Sequence, residues 1–353
     1  MQYDSLVFIG RFNPFHAGHY HVAKQALKLA ENLIFVIGSH DRTRDTRNPF
    51  TTAERTVIIR SAFADDAVHD RLHFCPIVDY TYNDERWIAA IQSAVTSVAY
   101  TVNKKFGMPK IGLIGYEKDH SSYYLKKFPN WDLVHIEPEK KLSATDLRQL
   151  IFRTYWEIDD VLDINDEGFQ EFFVNSRHKF VVLTYAAQLQ EIADEFEFIE
   201  NYKKQWANTP YPVTFNTVDA VVTQSGHLLL VTRKAMPGEG LLALPGGFVN
   251  QTEKLQEAVI RELREETRLD IPTPALVGSI NKVHTYDDPH RSARGRTITT
   301  AFHFKLNDAY ELPVVKGSDD AKKAQWYSFN EVVVNKDRFF EDHYSIIEHM
   351  IGL

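Results

Sequence analysis

The sequence predicts an α/β protein in two parts, an N-terminal domain built on a parallel sheet and a C-terminal mixed α/β domain joined by a helical linker. Three observations predict this. Short apolar runs alternate with helical patterns through the first 140 residues. From Asp166 to Trp206 the chain turns helical, rich in Glu, Lys and aromatics, and it stops at Asn208-Thr-Pro-Tyr-Pro212. Beyond that, β-rich runs resume around one conspicuous helix near 254–268. At 353 residues the chain exceeds one ordinary core. The expected boundaries are a first domain over 1–172, a linker over 173–210 and a second domain over 211–353.

The expected strands of the first domain are Leu6–Ile9, Leu33–Ile37, Leu72–Val78, Ile111–Ile114 and Leu133–Ile136. The first lies in SLVFI, which is too short and too poor in flanking basic residues for a signal peptide. Between the first two, Val22, Ala26 and Ala30, with Ala23 and Leu27, recur at helical spacing. Thr51-x-x-Glu54 is a capping box that opens a further helix. Strand–helix alternation implies a parallel sheet covered on both faces, with ligands beyond the carboxyl ends of its strands. In the linker, two prolines in three residues stop the helix and stiffen the connection. The second domain offers strands at Val218–Thr223, Leu228–Arg233, Leu276–Val283 and Thr297–Leu306.

A net charge of −8 argues against nucleic acid as a bulk partner. The single cysteine, Cys75, excludes an internal disulfide and a cysteine-based zinc site. No apolar stretch approaches the length of a membrane span. The expectation is a reduced, cytoplasmic protein without membrane or nucleic-acid partners; the sequence leaves a homo-oligomer open.

Residues 10–19 read GRFNPFHAGH and follow the first strand. The next helix starts near Gly18, so this loop presents free backbone N–H groups and the positive end of a helix dipole, an anion site. Gly18 lets a phosphate approach the backbone, and two imidazoles can donate to its oxygens. By spacing alone, His16 and His19 also fit half a metal site or a pair of core histidines. Metal binding needs companion ligands, and residues 5–25 carry no carboxylate or thiol.

GRFNPFHAGH resembles the HxGH signature of the nucleotidyltransferase superfamily, and Leu142-Ser-Ala-Thr-Asp-Leu-Arg148 resembles its (I/L)SxTxxR element. The resemblance implies a Rossmann-like fold. It makes Ser143 or Thr145 a helix cap and Arg148 a triphosphate ligand, with Gly10, Phe12, Asn13 and Gly18 at the nucleotide. Arg47-Asn-Pro-Phe-Thr-Thr-Ala-Glu-Arg55 and Asp79, Asn83 and Trp87 resemble the archaeal-type nicotinamide-mononucleotide (NMN) adenylyltransferases, which make NAD and pyrophosphate from ATP and NMN. That implies Trp87 against the nicotinamide ring, Asp79 and Asn83 on NMN, and Arg11 and Arg47 on phosphate. Packing is the alternative for Trp87, which shares a helix face with Ile88 and Ile91; a plain surface position is the alternative for each arginine. The implied reaction is in-line attack by an already ionised phosphate, so catalysis is positioning and charge stabilisation by Arg11, His16, His19 and Arg148, with Mg²⁺ shielding the phosphates.

In the second domain Glu262, Glu265 and Glu266 stand at i, i+3 and i+4 and share one helix face. Three anions so close call for a cation, and oxygen ligands suit Mg²⁺ or Mn²⁺; a solvated acidic face is the alternative. Residues 247–269 resemble the Nudix box, G-x5-E-x7-R-E-U-x-E-E-x-G-U, with U aliphatic. Gly247, Glu253, Arg261, Glu262, Leu263, Glu265, Glu266 and Leu269 match, while Arg268 stands where the family has Gly. That Gly ordinarily takes a left-handed conformation near a helix end, so Arg268 is expected either to cost about 1 kcal/mol or to extend the helix.

The resemblance implies hydrolysis of a nucleoside diphosphate linked to another group. Metal would be held by Glu262, Glu265 and Glu266, with Glu253 as an outer or additional ligand. Arg261 would orient the glutamates, and Gly246 and Gly247 would lie at the substrate. The loop His284–Arg296 resembles the substrate loop of Nudix domains fused to this adenylyltransferase, which act on ADP-ribose. This implies Arg291, Arg294 and Arg296 as diphosphate or ribose-phosphate contacts, a solvated loop being the alternative. The combined expectation is a bifunctional enzyme of NAD metabolism binding ATP, NMN, NAD and ADP-ribose, with Mg²⁺, or Mn²⁺ in its place, at both sites. The alternatives are a Nudix domain of other dinucleotide specificity and one that only senses ligand.

Overall fold

The computed structural model describes residues 1–103, 105, 107–115, 124–137, 142–155 and 167–353. The chain divides into two compact units, Met1–Ala193 and Asp194–Leu353.

The first unit runs β1 (Tyr3–Gly10), α1 (Ala17–Leu29), β2 (Ala30–Ile37), α2 (Thr52–Ala62), β3 (Leu72–Pro76), α3 (Asp84–Val102), β4 (Ile111–Gly115), β5 (Asp132–His135), α4 (Ala144–Arg153), α5 (Glu167–Gln170), α6 (Ser176–Ala186) and the start of α7 (Gln190–Trp206). The strand order is β3-β2-β1-β4-β5, with every pair parallel. Successive strands step outward from β1 to β3, and the chain then returns to the other side of β1 at β4. The carboxyl end of β1 therefore borders the switch point where ligands of such sheets bind. Val7, Ile9, Ile34, Val36 and Leu113 of the sheet pack with Ile91, Val95 and Ala99 of α3. Ala30 belongs to β2 rather than to the helix before it: α1 ends at Leu29 and passes straight into the strand.

The units part within the stretch expected as a linker, 173–210, but the first residues of that stretch pack with the first unit. Asn175 caps α6 by accepting from the His178 N–H at 2.8 Å, and its amide donates to the Ala62 carbonyl at the end of α2 at 3.1 Å. These bonds fasten α6 within the first unit. The division falls inside α7, whose later residues Tyr202 and Trp206 pack their rings on Phe215. Asp166, where the helical stretch was expected to begin, lies outside the described residues.

The second unit contains β6 (Phe215–Gln224), β7 (His227–Arg233), β8 (Leu242–Ala243), β9 (Gly246–Phe248), α8 (Leu255–Thr267), α9 (Thr273–Gly278), β10 (Ile280–Tyr286), β11 (Thr297–Lys305), β12 (Ala321–Ser328), α10 (Phe329–Val334) and α11 (His343–Ile351). Its mixed sheet runs β10-β11-β6-β7-β12, with β9 on β6 and β8 on β7. The β11–β6 pair is parallel and the others are antiparallel. β6 and β7 are joined by Ser225-Gly226, both at positive φ, the two-residue turn that matches strand twist. Ala258, Val259 and Leu263 of α8 pack on Val218, Ala220, Val222 and Phe302 of the sheet.

Two elements depart from expectation. The run Leu276–Val283 splits into helix and strand, because Pro272 and Pro274 start a short helix and the strand begins only at Ile280. β12 has no apolar run to announce it; its two lysines and a Trp suit an edge strand. Among the described residues no helix is long and apolar enough to cross a membrane.

Candidate active sites

The loop after β1 is built around its own aromatic rings. A side chain at Gly10 would meet the Phe12 ring at 2.9 Å. Phe12 sits at φ 49° and is buried against Phe8, Phe35 and His19. Its side chain is therefore part of the wall behind the site rather than an open nucleotide contact, because the ring fills the space that Gly10 leaves. Asn13 bridges two loops: its amide donates to the Phe50 carbonyl and its oxygen accepts from the Phe50 N–H, both at 3.1 Å.

His16 and His19 form a capping box at the start of α1. His16 Nδ1 accepts from the Gly18 N–H at 3.1 Å, and His19 Nδ1 accepts from the His16 N–H at 3.3 Å. With both Nδ1 atoms accepting, each neutral ring carries its proton on Nε2, and that edge is the donor. The ring centroids lie 3.8 Å apart. Gly18 is required first by the histidine, since a Cβ there would come within 3.0 Å of His16 Cε1. The pair is thus placed as hydrogen-bond donors at a helix N-terminus.

Two buried arginines hold the surrounding loops. Arg148, 6% exposed, donates to the Asn13 carbonyl at 2.7 Å, the Thr46 carbonyl at 3.2 Å and Thr145 Oγ1 at 3.0 Å. Burial, with Arg11 nearby, pushes its guanidinium down to about 10. Expected as a triphosphate ligand, it here ties α4 to the loops after β1 and β2. Arg55, 1% exposed, donates to the carbonyls of Arg11 and Gly38 at 2.7 Å, Ser39 at 3.0 Å and Thr51 at 3.3 Å, and to Thr52 Oγ1 at 2.9 Å. Burial pushes it down to about 10 as well. The exposed Arg11 lies among Asp79, Asp45, Arg47 and Arg42. Arg47 follows an Asx turn in which Asp45 accepts from its backbone N–H at 2.8 Å.

Asp79 accepts from the Ser39 N–H and hydroxyl at 2.8 and 2.6 Å, joining the loops after β2 and β3. Asn83 caps α3. Trp87 is half-buried between Tyr124 and Phe128, and Ser143 caps α4 by accepting from the Thr145 N–H.

In the second unit Arg261 is a hub. It is bidentate to Glu253 at 2.7 and 3.0 Å, reaches Glu262 and Glu265 at 2.8 Å each, and donates to the Phe248 carbonyl at 3.1 Å. That pairing lowers Glu253 to about 2 and raises Arg261. Both Glu253 oxygens face Arg261, which gives Glu253 an orienting rather than a coordinating place. Gly247 leaves room for Glu262, whose Oε1 would lie 2.6 Å from a Cβ there. Glu266 is buried and accepts from the Gly246 N–H at 3.0 Å; burial pushes its carboxyl up to about 8, with Glu262 and Asp219 adding repulsion. Burial also raises Glu262. A half-buried excess of carboxylate, all oxygen, fits a hard divalent cation.

Arg268 caps α8 in the left-handed conformation, φ 55° and ψ 24°. It neither extends the helix nor stands alone, because its Nε donates to Ser318 Oγ at 3.1 Å. Residues 316–318 cap the end of the helix, with Lys316 and Ser318 N–H groups on the Thr267 and Glu266 carbonyls.

The three loop arginines have different places. Arg291 is buried in a bidentate pair with Asp342, at 2.8 and 3.0 Å, which anchors the loop on the N-cap of α11. Arg294 stacks over Phe248, 5.5 Å from the ring centre, beside the glycines. Arg296 donates to the Asp287 carbonyl.

The cytidylyltransferase-like family matches residues 7–150 and the NUDIX domain family matches residues 213–350. The first unit is similar to a nicotinamide/nicotinic acid mononucleotide adenylyltransferase of Acinetobacter baylyi, 39% identical over 43% of this chain and 77% of that protein. The second is similar to an ADP-ribose pyrophosphatase of Methanocaldococcus jannaschii, 37% identical over 37% of this chain and 69% of that protein. A crystal structure of a bifunctional NMN adenylyltransferase/ADP-ribose pyrophosphatase from Francisella tularensis, complexed with AMP and a manganese ion, matches with a TM-score of 0.88 and 33% identity. It covers 99% of both chains. The chain belongs to the bifunctional NMN adenylyltransferase/ADP-ribose pyrophosphatase family. Two residues of this bifunctional chain had no role in the sequence expectations. Arg55 ends the stretch RNPFTTAER, and a cation four residues into a helix gives no sign that it points inward. Asp219 is a carboxylate inside the apolar run Val218–Thr223; it is buried beside Gly246 and accepts from Thr299 Oγ1 at 2.5 Å.

Proposed function

We propose that the first unit transfers the adenylyl group of ATP to nicotinamide mononucleotide, giving NAD and pyrophosphate. The second unit hydrolyses ADP-ribose to AMP and ribose 5-phosphate. What carries the reading is the likeness along 99% of the chain to the Francisella bifunctional enzyme.

In the first unit the NMN phosphate attacks the α-phosphorus of ATP; a new P–O bond forms as the bond to pyrophosphate breaks. The nucleophile is already ionised, so no side chain need remove a proton. The Nε2–H edges of His16 and His19 and the Arg11 and Arg47 guanidiniums stabilise charge on the phosphates. Gly18 and the α1 N-terminus receive the phosphate chain. Arg148 and Arg55 set the loops, and Arg148 retains N–H groups for the triphosphate. Asp79, Asn83 and Trp87 form the nicotinamide end. The loop from Gly10 to His19 offers no carboxylate, and Mg²⁺ carried on the ATP phosphates would shield their charge.

In the second unit Glu262, Glu265 and Glu266 hold the divalent cation, Mg²⁺ or Mn²⁺, with Arg261 and Glu253 keeping the carboxylates in place. When bound, the cation polarises the diphosphate and activates water. Arg294 and Arg296 face the diphosphate, and Arg291 keeps their loop anchored. ATP, NMN and ADP-ribose as substrates fit a cytoplasmic enzyme.

Incubation with ATP, NMN and Mg²⁺, and separately with ADP-ribose, followed by chromatography of the products, tests both halves. NAD with pyrophosphate, and AMP with ribose 5-phosphate, are expected. An intact ADP-ribose pool beside hydrolysis of another dinucleotide overturns the second assignment.

A further inference from the structure

The HxGH loop is supported from behind by a segment that lies beyond the family match ending at residue 150. The Ala17 N–H, at the first turn of α1, donates to the Phe172 carbonyl at 2.9 Å. Phe172 sets its ring edge-on to His16, 6.3 Å between centres. On the next helix, His178 is wholly buried and stands edge-on to Phe15, 6.3 Å away, with Phe173 at 5.9 Å. Its Nδ1 accepts from the Val174 N–H at 3.3 Å, which puts the ring proton on Nε2. That Nε2 is buried and has no hydrogen-bond partner among the described residues. The Phe15 backbone acts on the ring, and burial keeps it neutral, down to about 4.

A buried imidazole donor without a well-formed hydrogen bond is costly, and accepting from the Val174 N–H through Nδ1 accounts for only half of the ring. We propose that His178 is a positioning residue for adenylyl transfer: its Nε2–H closes onto the Phe15 carbonyl when nucleotide fills the site, locking the Phe15-His16-Ala17 turn and thereby the donor edges of His16 and His19. Hydrogen bonds that serve a reaction are often long before substrate binds and tighten in the complex. A turn that rocks by a fraction of an ångström misdirects both imidazoles at once, which lowers turnover more than binding. The turn at Phe172 and helix α6 thus belong to the catalytic apparatus of the first unit.

This inference rests on the adenylyl-transfer reading above. The test compares wild type with His178→Phe and His178→Gln. Phe keeps a ring and loses the Nε2 donor together with the Nδ1 acceptor of the Val174 N–H; Gln restores an N–H near the position of Nε2. His178→Phe is expected to lower kcat for NAD formation about tenfold, with KM for ATP and NMN changed less than about twofold. ADP-ribose hydrolysis stays at the wild-type value, and His178→Gln recovers most of the rate. Wild-type kcat in a folded His178→Phe overturns the inference and leaves the adenylyl-transfer reading standing. A wild-type enzyme that makes no NAD overturns both. Nitrogen-15 histidine spectra of the wild type decide the matter even if His178→Phe does not fold. A neutral, Nε2-protonated His178 whose proton moves downfield on adding ATP and NMN supports the inference; an Nδ1-protonated ring or an unchanged resonance overturns it.

Discussion

The loop after β1 and the acidic face of α8 both handle phosphate esters, yet their charge is arranged in opposite senses. The first site gathers cations and donors at strand ends, and buried guanidiniums hold it together by donating to backbone carbonyls: Arg55 to Arg11, Gly38 and Ser39, Arg148 to Asn13 and Thr46. The second gathers carboxylates on one helix, and the part-exposed Arg261 holds two of them, Glu262 and Glu265, together with Glu253 just before the helix, by ion pairs. Loops need many anchors because each brings its own backbone freedom. A helix needs few, because its side-chain spacing is already set. The cost in the second site is electrostatic instead, and Glu266 shows it by holding its proton well above the usual carboxylate range.

The contrast can be broken at several points. Glu265→Gln is expected to lower ADP-ribose hydrolysis by about 10³-fold and leave NAD synthesis near wild type; steady-state rates of both reactions measure this. Loss of both in a folded variant would show that the sites are not independent. His19→Ala should slow adenylyl transfer about 10²-fold, as for loss of a charge-stabilising donor, with hydrolysis unchanged. Zinc that co-purifies with the wild type and vanishes in this variant would instead make the histidines ligands.

Arg55→Met takes the side-chain donor from the Arg11, Gly38 and Ser39 carbonyls, Thr51 keeping the Arg55 backbone N–H, and should destabilise the first unit by about 3 kcal/mol, read by calorimetry, with the second unit unmoved. An equal loss in both units would contradict the separate anchoring. The pH response sharpens the comparison differently, because burial lowers His178 in the first unit to about 4, and in the second lowers His303 to about 4 and the buried His343 as well. The ordinary value is near 6.5, so below it the unfolded chain takes up protons that the folded chain refuses. Stability contributed by each histidine is present above pH 6.5 and is lost as pH falls toward 4. Thermal midpoints across this window should fall for both units, and His178→Gln should flatten the slope of the first alone. The smallest effect is expected at Arg268→Gly. Relief of the left-handed residue is set against a looser unfolded chain and the lost Ser318 contact, so the second unit should gain no more than about 1 kcal/mol. Hydrolysis should not change; a large fall would mean that the Arg268–Ser318 contact holds the helix in place.

Much of each site was legible because its signal is local. His16, Gly18 and His19 lie within one turn, and the three glutamates fall on one face by helical spacing alone. Strand positions in the first unit were legible for the same reason, as continuous apolar runs are what a doubly covered parallel sheet requires. What escaped depended on distance. Arg55 and Arg148 carry the same charge as any surface arginine, and only the carbonyls of other loops reveal that they point inward. Phe12 reads as a loop residue until Gly10 is seen to make room for it. Arg291 differs from Arg294 only because Asp342 waits for it on another helix. The segment 173–210 has a linker's composition, yet its Asn175 and His178, and Phe172 just before it, find partners more than 100 residues away in sequence.

By itself, then, the sequence determined the class of the two units, the order in which they follow, and the chemical type of each site, because periodicity and close spacing are properties of the chain alone. The tertiary structure decided which cations face a substrate and which face carbonyls, which proton each histidine of the HxGH loop carries, how far Glu266 is pushed from its ordinary pKa, and where the first unit ends. Those depend on burial and on partners that only folding brings within hydrogen-bonding distance.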